Sequence, residues 1–574
     1  MDKYIKFRIL LVGIIFIAAF AVIAAKAVHL QVYRSTWLSQ KASDQYEKSL
    51  TTPGQRGIIY DRNLSEMAVS INVTSIAAYP AQVENPGATA KALARVLNLD
   101  ARSLQSKLAS KKSFVWIKRQ STAKETTAVK DLETPGIEFV TEYNRFYPHT
   151  TLAAQVLGFS GIDGAGLEGI EFYYNQYLKG ADINYKVFKD ALGNGFSSGT
   201  GQSTDTSGHN LVLTIDNTIQ YIAESALKEA VEENSALSGL ALVMNPQTGA
   251  VLALAHYPFY NPNSYADFEK SIWRNRALTD TFEPGSTMKI FSAAAALEHG
   301  KISPNQIFFC ENGAYRIGKN VVHDSHKHAW LSLQQIVKYS SNIGAVKIGQ
   351  EVGAKKLHRT YSDFGFGQKT GIESPGEATG SLSPYSTWSK IDTGSISFGH
   401  GISASAIQLI TAVSAIANGG NLMKPFLVRE IVDPNGNLVN IFKPQKVRRA
   451  ISARTATIVK NILKTVITTG GTGVNAALDG YTAGGKTGTA RKLDENGQYD
   501  KTKHMASFVG FAPADNAEIT VLVIIDEPQG EYYGGIVAAP VFRQIAQQTL
   551  NYLNVPPDDG TTKLRVSRDD GAKG

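Results

Sequence analysis

A single cysteine, Cys310, in 574 residues rules out any intramolecular disulfide, so the domains of this chain must hold by core packing alone. Charge is also thin, at 19% of residues, and the net charge of +8 comes from lysines and arginines interleaved with acids. With no basic stripe or block, nucleic acid is excluded as a partner; anionic lipid and cell wall are what such a chain would meet after export. Metal-ligand spacing is nearly missing. Residues 323–330, HDSHKHAW, crowd His323, His326 and His328 together, but no carboxylate or cysteine stands at clear ligand spacing, so neither a metal nor a cofactor is expected. Internal repeats are not seen.

Long apolar runs are scarce, with one exception. Residues 9–25, ILLVGIIFIAAFAVIAA, carry no charge and reach the minimum for a membrane span, with Lys26 snorkelling at the end. Lys3, Lys6 and Arg8 precede the run, so the positive-inside rule keeps the N-terminus cytoplasmic and exports the rest. A cleavable signal peptide is the competing reading, and AFAVIAAKAVHL offers a loose A-x-A site. Helical periodicity continues past Lys26 instead of breaking, which favours an uncleaved anchor.

What is present is a folded chain, 43% hydrophobic and long enough for two or three domains. The Gly/Ser/Thr-rich stretch 192–210 marks the boundary between them. The expected order is a cytoplasmic tail over 1–8, a transmembrane helix over 9–26, a mixed α/β module over 27–208, a second module over 209–555, and a polar, disordered tail over 556–574. Residues 240–255, LALVMNPQTGAVLALA, read as two apolar strands joined by a turn. MASFVGFAP and ITVLVIID return to strands near the end, and a helix follows from about Ala539 to Leu553. Strands at both ends with helices between them predict a mixed sheet packed by helices, an α+β fold.

Chemistry enters at residues 282–290, FEPGSTMKI. Pro284 and Gly285 break the preceding element, and the helix-forming IFSAAAALEH runs on to Gly300, so Ser286 falls at a helix N-terminus with Lys289 on the same face one turn later. A serine hydroxyl becomes a nucleophile when a base takes its proton, and a lysine with a depressed pKa can be that base. Alone, the pattern is weak. The same spacing occurs at Ser121 and Lys124, in a charge-dense stretch read as solvated surface. Two further elements strengthen the first. YSSNIGAVKIG (339–349) carries Ser340 and Asn342 ahead of an apolar helical run. AGGKTGTA (483–490) carries Lys486, Thr487, Gly488 and Thr489 as a strand whose glycines admit another backbone. A second Lys-Thr-Gly, at Lys369, lies among Gly/Pro loop residues and is set aside. S-x-x-K, S-x-N and K-T-G in that order form the signature of the penicillin-recognising serine enzymes.

With these motifs the sequence resembles the class B penicillin-binding proteins, the membrane-anchored D,D-transpeptidases of peptidoglycan. RGIIYDRN (56–63) and GAGLEGIEFYYNQYLKG (164–180) look like the N-terminal motifs of that family. ASFVGFAPADNAEITVLVIIDEP and YYGGIVAAPVF near the C-terminus are similar to its division-specific, FtsI-type branch. Two departures stand out: Leu64 where the family usually has glycine, and Ala406 where proline usually starts a helix.

The resemblance implies an N-terminal pedestal module and a C-terminal transpeptidase domain with an antiparallel sheet covered by helices on both sides. It further implies Ser286 as nucleophile, Lys289 as base with its pKa lowered by burial and by Lys486, and Ser340 as proton relay. Asn342 would align the substrate amide, and Lys486, Thr487 and Thr489, with Gly488 between them, would hold the substrate carboxylate. The substrate would be the stem peptides of the septal wall, with β-lactams as inhibitors. The implied setting is the inner membrane, beside the division glycan polymerase and other divisome membrane proteins. Alternatives are an elongation-type transpeptidase, a membrane-anchored β-lactam hydrolase, or a sensor. His400 reads as structural, and Glu168 and Glu171 as a Gly-rich loop meeting a helix start, not as paired glycosidase acids.

Overall fold

The computed structural model describes residues 3–38, 41, 47–189, 195–197, 207–299, 302–494 and 497–560. Gly300, most of the 192–210 stretch and tail residues 561–574 lie outside the described residues, as do the expectations placed on them. The chain forms two compact units. One holds residues 1–55, 71–144 and 180–207, and the other residues 56–70, 145–179 and 208–574.

In the first unit the N-terminal helix runs Lys3–Val28 with no buried residue, and is long and apolar enough to cross a membrane. A separate small core gathers Ile76, Leu93, Leu97, Leu104, Leu108, Val115 and Val129. It lies between the strand pair in which Ile76 faces Lys118 and the helices Pro86–Leu97, Ala101–Leu108 and Ala123–Lys130. Ser121 belongs here and corrects the sequence reading. It is buried, and its Oγ donates to the Thr74 carbonyl at 2.6 Å, so it is a sheet residue and not solvated surface. Lys124, by contrast, is exposed.

The second unit is built on a five-stranded antiparallel sheet. Its strands are β1 (Ser238–Met244), β2 (Val251–Tyr257), β3 (Gly484–Leu493), β4 (Tyr499–Ala512) and β5 (Ile519–Asp526), in the order β2-β1-β5-β4-β3. Its main helices are α1 (Asn217–Glu233), α2 (Lys289–His299), α3 (Leu333–Tyr339), α4 (Asn342–Val352), α5 (Ala406–Ala417), α6 (Ala453–Ile467) and α7 (Ala539–Tyr552). Successive residues of a strand point to opposite faces, so a run apolar at every position must be covered on both. β1 is such a strand. Ala241 and Val243 join the core lined by α1 and α7, while Leu240, Leu242 and Met244 join the larger core that holds α2, α4, α5 and α6. Helix α2 is buried from Lys289 to Ala296, and Phe291 meets Phe364 and Phe366 edge-on at 4.9 Å. The element that presents Ser286 is therefore clamped at the centre of the unit. Ala406 opens α5 behind a Ser405–Gln408 capping box, which replaces what a proline would preset.

Residues 56–70 and 145–179 belong to this unit, so compactness divides the chain differently from the single boundary expected near 208. Both segments join the larger apolar core, through Ile59, Met67, Val156, Leu157, Phe159 and Ile170, and the Ala153 amide donates to Glu224 Oε1 on α1 at 2.8 Å, while a buried ion cluster ties the two segments to each other. Glu171 is fully buried and takes Arg56 Nε at 2.5 Å and Arg145 Nε at 2.6 Å, while Arg145 also donates to the Gly57 carbonyl at 2.7 Å. Burial alone would push the Glu171 carboxyl up, but Arg145 and Arg56 outweigh it and hold the group below its usual range. Glu171 is a structural counter-ion. Close by in sequence, Asp61 Oδ1 accepts from the Asn63 and Ser65 amides at 2.8 Å, and Leu64 takes a left-handed φ of 66° in the same turn. A residue with a Cβ is strained there, which accounts for the glycine usual at this position.

Candidate active site

Ser286 lies in a 3-10 turn, Gly285–Met288, that leads directly into α2. Gly285 has φ of 54°, and a Cβ added there would stand 3.2 Å from the Thr489 carbonyl oxygen on β3. The loop carrying His400 presses on the other side, where a Cβ on Gly399 would fall 2.1 Å from the Gly285 carbonyl oxygen. Two glycines thus let a turn, a loop and a strand meet at the serine. His400 lies between aromatic rings, 5.0 Å from Phe398 and 5.4 Å from Tyr499.

Lys289 is 1% exposed. Its Nζ lies 3.0 Å from Ser286 Oγ, 2.6 Å from the Ser340 carbonyl oxygen, 3.1 Å from Ser340 Oγ and 2.8 Å from Asn342 Oδ1. Burial pushes its pKa down to about 7, against a smaller upward pull from Asp324. A neutral amine has two protons to donate, which the Ser340 carbonyl and Asn342 Oδ1 can take. Its lone pair is then left for the Ser286 hydroxyl.

Lys486 is wholly buried on β3, with its Nζ 3.1 Å from the same Ser340 Oγ and 3.0 Å from the Thr487 carbonyl oxygen. Burial first, and the Lys289 charge second, push its pKa well down. One hydroxyl, Ser340 Oγ, thus bridges two buried amines, an arrangement suited to moving a proton between them. Ser340 closes α3 with a left-handed φ of 60°, and Ser341 opens α4 by accepting from the Gly344 amide at 2.9 Å. Backbone strain of this kind, of order 1–3 kcal/mol, persists where the surroundings fix it.

The five residues expected to act on the proton and the acyl group, Ser286, Lys289, Ser340, Asn342 and Lys486, therefore form one hydrogen-bonded cluster. The K-T-G residues flank it. Gly488 packs on the serine turn, since a Cβ there would meet Thr287 Cγ2 at 3.0 Å and Ser507 Oγ at 2.3 Å. Thr487 Oγ1 pairs with Thr472 Oγ1 at 3.0 Å, and Thr489 Oγ1 accepts from the Gly534 amide at 3.2 Å, keeping its own proton free to donate. The second Lys-Thr-Gly is elsewhere: Thr370 and Gly371 amides bind the Glu377 carboxylate in a loop.

Sequence reasoning missed Asp324. It sits inside HDSHKHAW, where the histidines drew attention, yet the carboxylate is what reaches the site. Its Oδ1 accepts from the Asn342 amide at 2.5 Å and the Ile343 amide at 3.0 Å, and its Oδ2 from Ser341 Oγ at 2.6 Å. His323 contributes only its backbone carbonyl, to Asn342 Nδ2 at 3.0 Å, and His328 stacks on Tyr339.

Comparison with known proteins places the chain in a family. Residues 239–547 match the penicillin-binding protein transpeptidase domain, and residues 51–213 the penicillin-binding protein dimerisation domain. The chain is 35% identical to a probable peptidoglycan D,D-transpeptidase PenA of Neisseria meningitidis, covering 95% of this chain and 93% of the relative. It is 34% identical to stage V sporulation protein D of Bacillus subtilis (96% and 87% covered) and 33% identical to peptidoglycan D,D-transpeptidase FtsI of Escherichia coli K12 (98% and 94%). Penicillin-binding protein 3 of Mycobacterium tuberculosis, solved in complex with ampicillin, superposes with a TM-score of 0.69 at 27% identity, over 89% of this chain and 98% of the other. The chain belongs to the class B penicillin-binding proteins. It is a peptidoglycan D,D-transpeptidase, a serine acyltransferase with peptidoglycan as substrate and β-lactams as ligands.

Proposed function

We propose that this transpeptidase cross-links the septal wall, with Ser286 as its nucleophile. The observation that carries the chemistry is the contact of a buried Lys289 Nζ with Ser286 Oγ at 3.0 Å, at a pKa near 7. Lys289 takes the hydroxyl proton as Ser286 Oγ attacks the carbonyl between the two terminal D-alanines of a stem peptide. The amide C–N bond breaks, and Ser340 passes the proton on to the departing D-alanine amine. Lys486, with Thr487 and Thr489, holds the terminal carboxylate, and Asn342 aligns the peptide. The backbone N–H groups of Ser286 and Thr489 receive the oxyanion, an effect of about 3 kcal/mol per donor. The amine of a second stem peptide then attacks the acyl-enzyme, its proton returns through Lys289, and the cross-link forms.

The septal assignment rests on the C-terminal stretch 506–542, which resembles the FtsI branch. The span 9–26 holds the enzyme in the inner membrane with residues 1–8 cytoplasmic and both units outside. There, the span and the N-terminal module dock the division glycan polymerase and other divisome membrane proteins. A fluorescent fusion tests placement: mid-cell accumulation in dividing cells supports the septal role, and even side-wall distribution favours the elongation-type alternative. Adduct lifetime tests the hydrolase alternative, since a penicillin adduct lasting hours fits a transpeptidase and one lasting seconds a lactamase.

A further inference from the structure

We propose that Asp324 is a positioning residue of the acylation reaction: its carboxylate fixes the Ser340–Asn342 bend against Lys289 and places a negative charge beside the Ser286–Lys289 pair. The inference rests on the reading of Ser286 as nucleophile and adds a residue that none of the three motifs contains.

The geometry is unusually committed. Helix α4 already has an N-cap in Ser341, whose hydroxyl oxygen accepts from the Gly344 amide. Asp324 takes up the Asn342 and Ile343 amides, the first two of the helix, which would otherwise lack partners in it. Its second oxygen binds the capping hydroxyl itself. The middle and the far end of the bend, Ser341 and Asn342, are thereby tied to one side chain from a different segment, just past the strand Asn320–His323.

Asn342 is what this fixes. Its backbone is held by Asp324 and its Nδ2 by the His323 carbonyl, so its Oδ1 is left facing Lys289. The residue before Asp324 and Asp324 itself thus set the same amide from two sides. Ser340, whose carbonyl and hydroxyl also reach Lys289, caps α3 in a left-handed conformation, with the Ser341 amide donating to the Ile336 carbonyl at 3.0 Å, and Asp324 holds the residues that follow it. A shift of 1 Å in such a constellation can lower a rate about 10²-fold.

The charge acts separately from the hydrogen bonds. A carboxylate near the amine favours its protonated form, opposing the burial that drives Lys289 toward neutrality. Other ionisable groups around these two residues include Lys486 and His400 near Lys289, and Cys310 near Asp324 with the Lys347–Glu311 pair beyond it, and His323 and His326 flank Asp324 in the chain. Removing the Asp324 charge therefore moves the ascending limb of the acylation profile to lower pH.

Two variants separate the effects. Asp324→Asn keeps the shape, with an oxygen for the two amides and an NH₂ for Ser341 Oγ, and removes the charge. Asp324→Ala removes both. The measurement is the second-order rate of acylation by a fluorescent penicillin across pH 5–9, with melting temperature as the control for folding. We expect a limb displaced to lower pH in both variants, with the plateau above it lowered about 10²-fold in Asp324→Ala and kept in Asp324→Asn. An unmoved limb in Asp324→Asn overturns the electrostatic part even if Asp324→Ala does not fold, and a wild-type rate in a folded Asp324→Ala overturns the positioning part. Mapping the label in the wild-type protein keeps the two readings apart. Label on Ser286 with unaffected variants removes only Asp324, whereas label on another residue removes the nucleophile assignment itself.

Discussion

The Ser340 carbonyl oxygen accepts from Lys289 Nζ at 2.6 Å, turned toward it by a left-handed φ of 60° at Ser340. That contact takes one of the two protons of a neutral amine, and Asn342 Oδ1 takes the other, so the lone pair is aimed at Ser286. These contacts suit the neutral form of Lys289, and with Lys289 read as the base the pH behaviour of acylation follows.

Acylation by a penicillin should rise with pH through about 7 and level off above, as Lys289 loses its proton. The sign follows from the depressed pKa: below about 7 the amine is protonated and cannot accept from Ser286, above it the base is free. Lys289→Ala should acylate about 10²–10⁴-fold more slowly while remaining folded. A rate flat from pH 5 to 9 in the wild-type enzyme would argue against lysine as the base.

Stability has the same origin with a separate readout. An ordinary lysine keeps its proton up to about 10.4, so between about 7 and that value the unfolded chain binds a proton that the folded site does not. This group's contribution to stability is therefore full above the unfolded value and falls as pH drops toward 7. Denaturant titrations should show Lys289→Met gaining on the wild type as pH is lowered from 10 to 7.

Breaking the buried Arg56–Glu171–Arg145 cluster should be costly. Glu171→Ala leaves two arginines in the interior without their counter-ion, and removing one partner of a buried pair typically costs about 3–5 kcal/mol. Thermal unfolding reads the loss. A change near zero would mean that water reaches the cluster.

Leu64→Gly should stabilise the protein. A left-handed residue with a Cβ carries about 1–2 kcal/mol of strain, and the added freedom of glycine in the unfolded chain cancels about 0.4–1 of it. Leu64 is exposed, so little packing is lost. A rise in melting temperature checks this, with Leu64→Ala, which keeps the Cβ, as the comparison.

Gly399→Ala should damage chemistry more than folding. Its Cβ would fall 2.1 Å from the Gly285 carbonyl oxygen, and the turn holding Ser286 must move to admit it. Acylation rate against melting temperature separates the two effects.

Local patterns were legible because they are local. Ser286 and Lys289 are one helical turn apart, so spacing alone put them on one face, and the two-sided apolar strands 240–244 and 519–526 announced a covered sheet. What the sequence hid depends on long-range partners. Asp324 lies in a polar run without periodicity, and its role appears only when the chain returns to Asn342. Arg56 and Glu171 meet across a separation of 115 residues, and the segments that hold them, on one side of the boundary drawn near 208, share an apolar core with residues beyond it. Ser121 misled for the opposite reason: its charged neighbours in sequence conceal a position buried in a sheet. Leu64 was noticed as a departure, but the strain it carries needed the backbone φ.

The anchor offers a test of how docking and chemistry divide. Replacing residues 1–34 by an unrelated span should weaken co-purification with the division glycan polymerase and leave penicillin acylation unchanged. Unchanged co-purification would make the span a tether only, and lost acylation would join it to the catalytic step.

The most direct measurement is the site of covalent attachment of a labelled penicillin, read by peptide mass spectrometry on the full-length membrane protein. The account predicts label on the peptide containing Ser286, absent in Ser286→Ala and undiminished in Ser121→Ala. Label persisting in Ser286→Ala would contradict it.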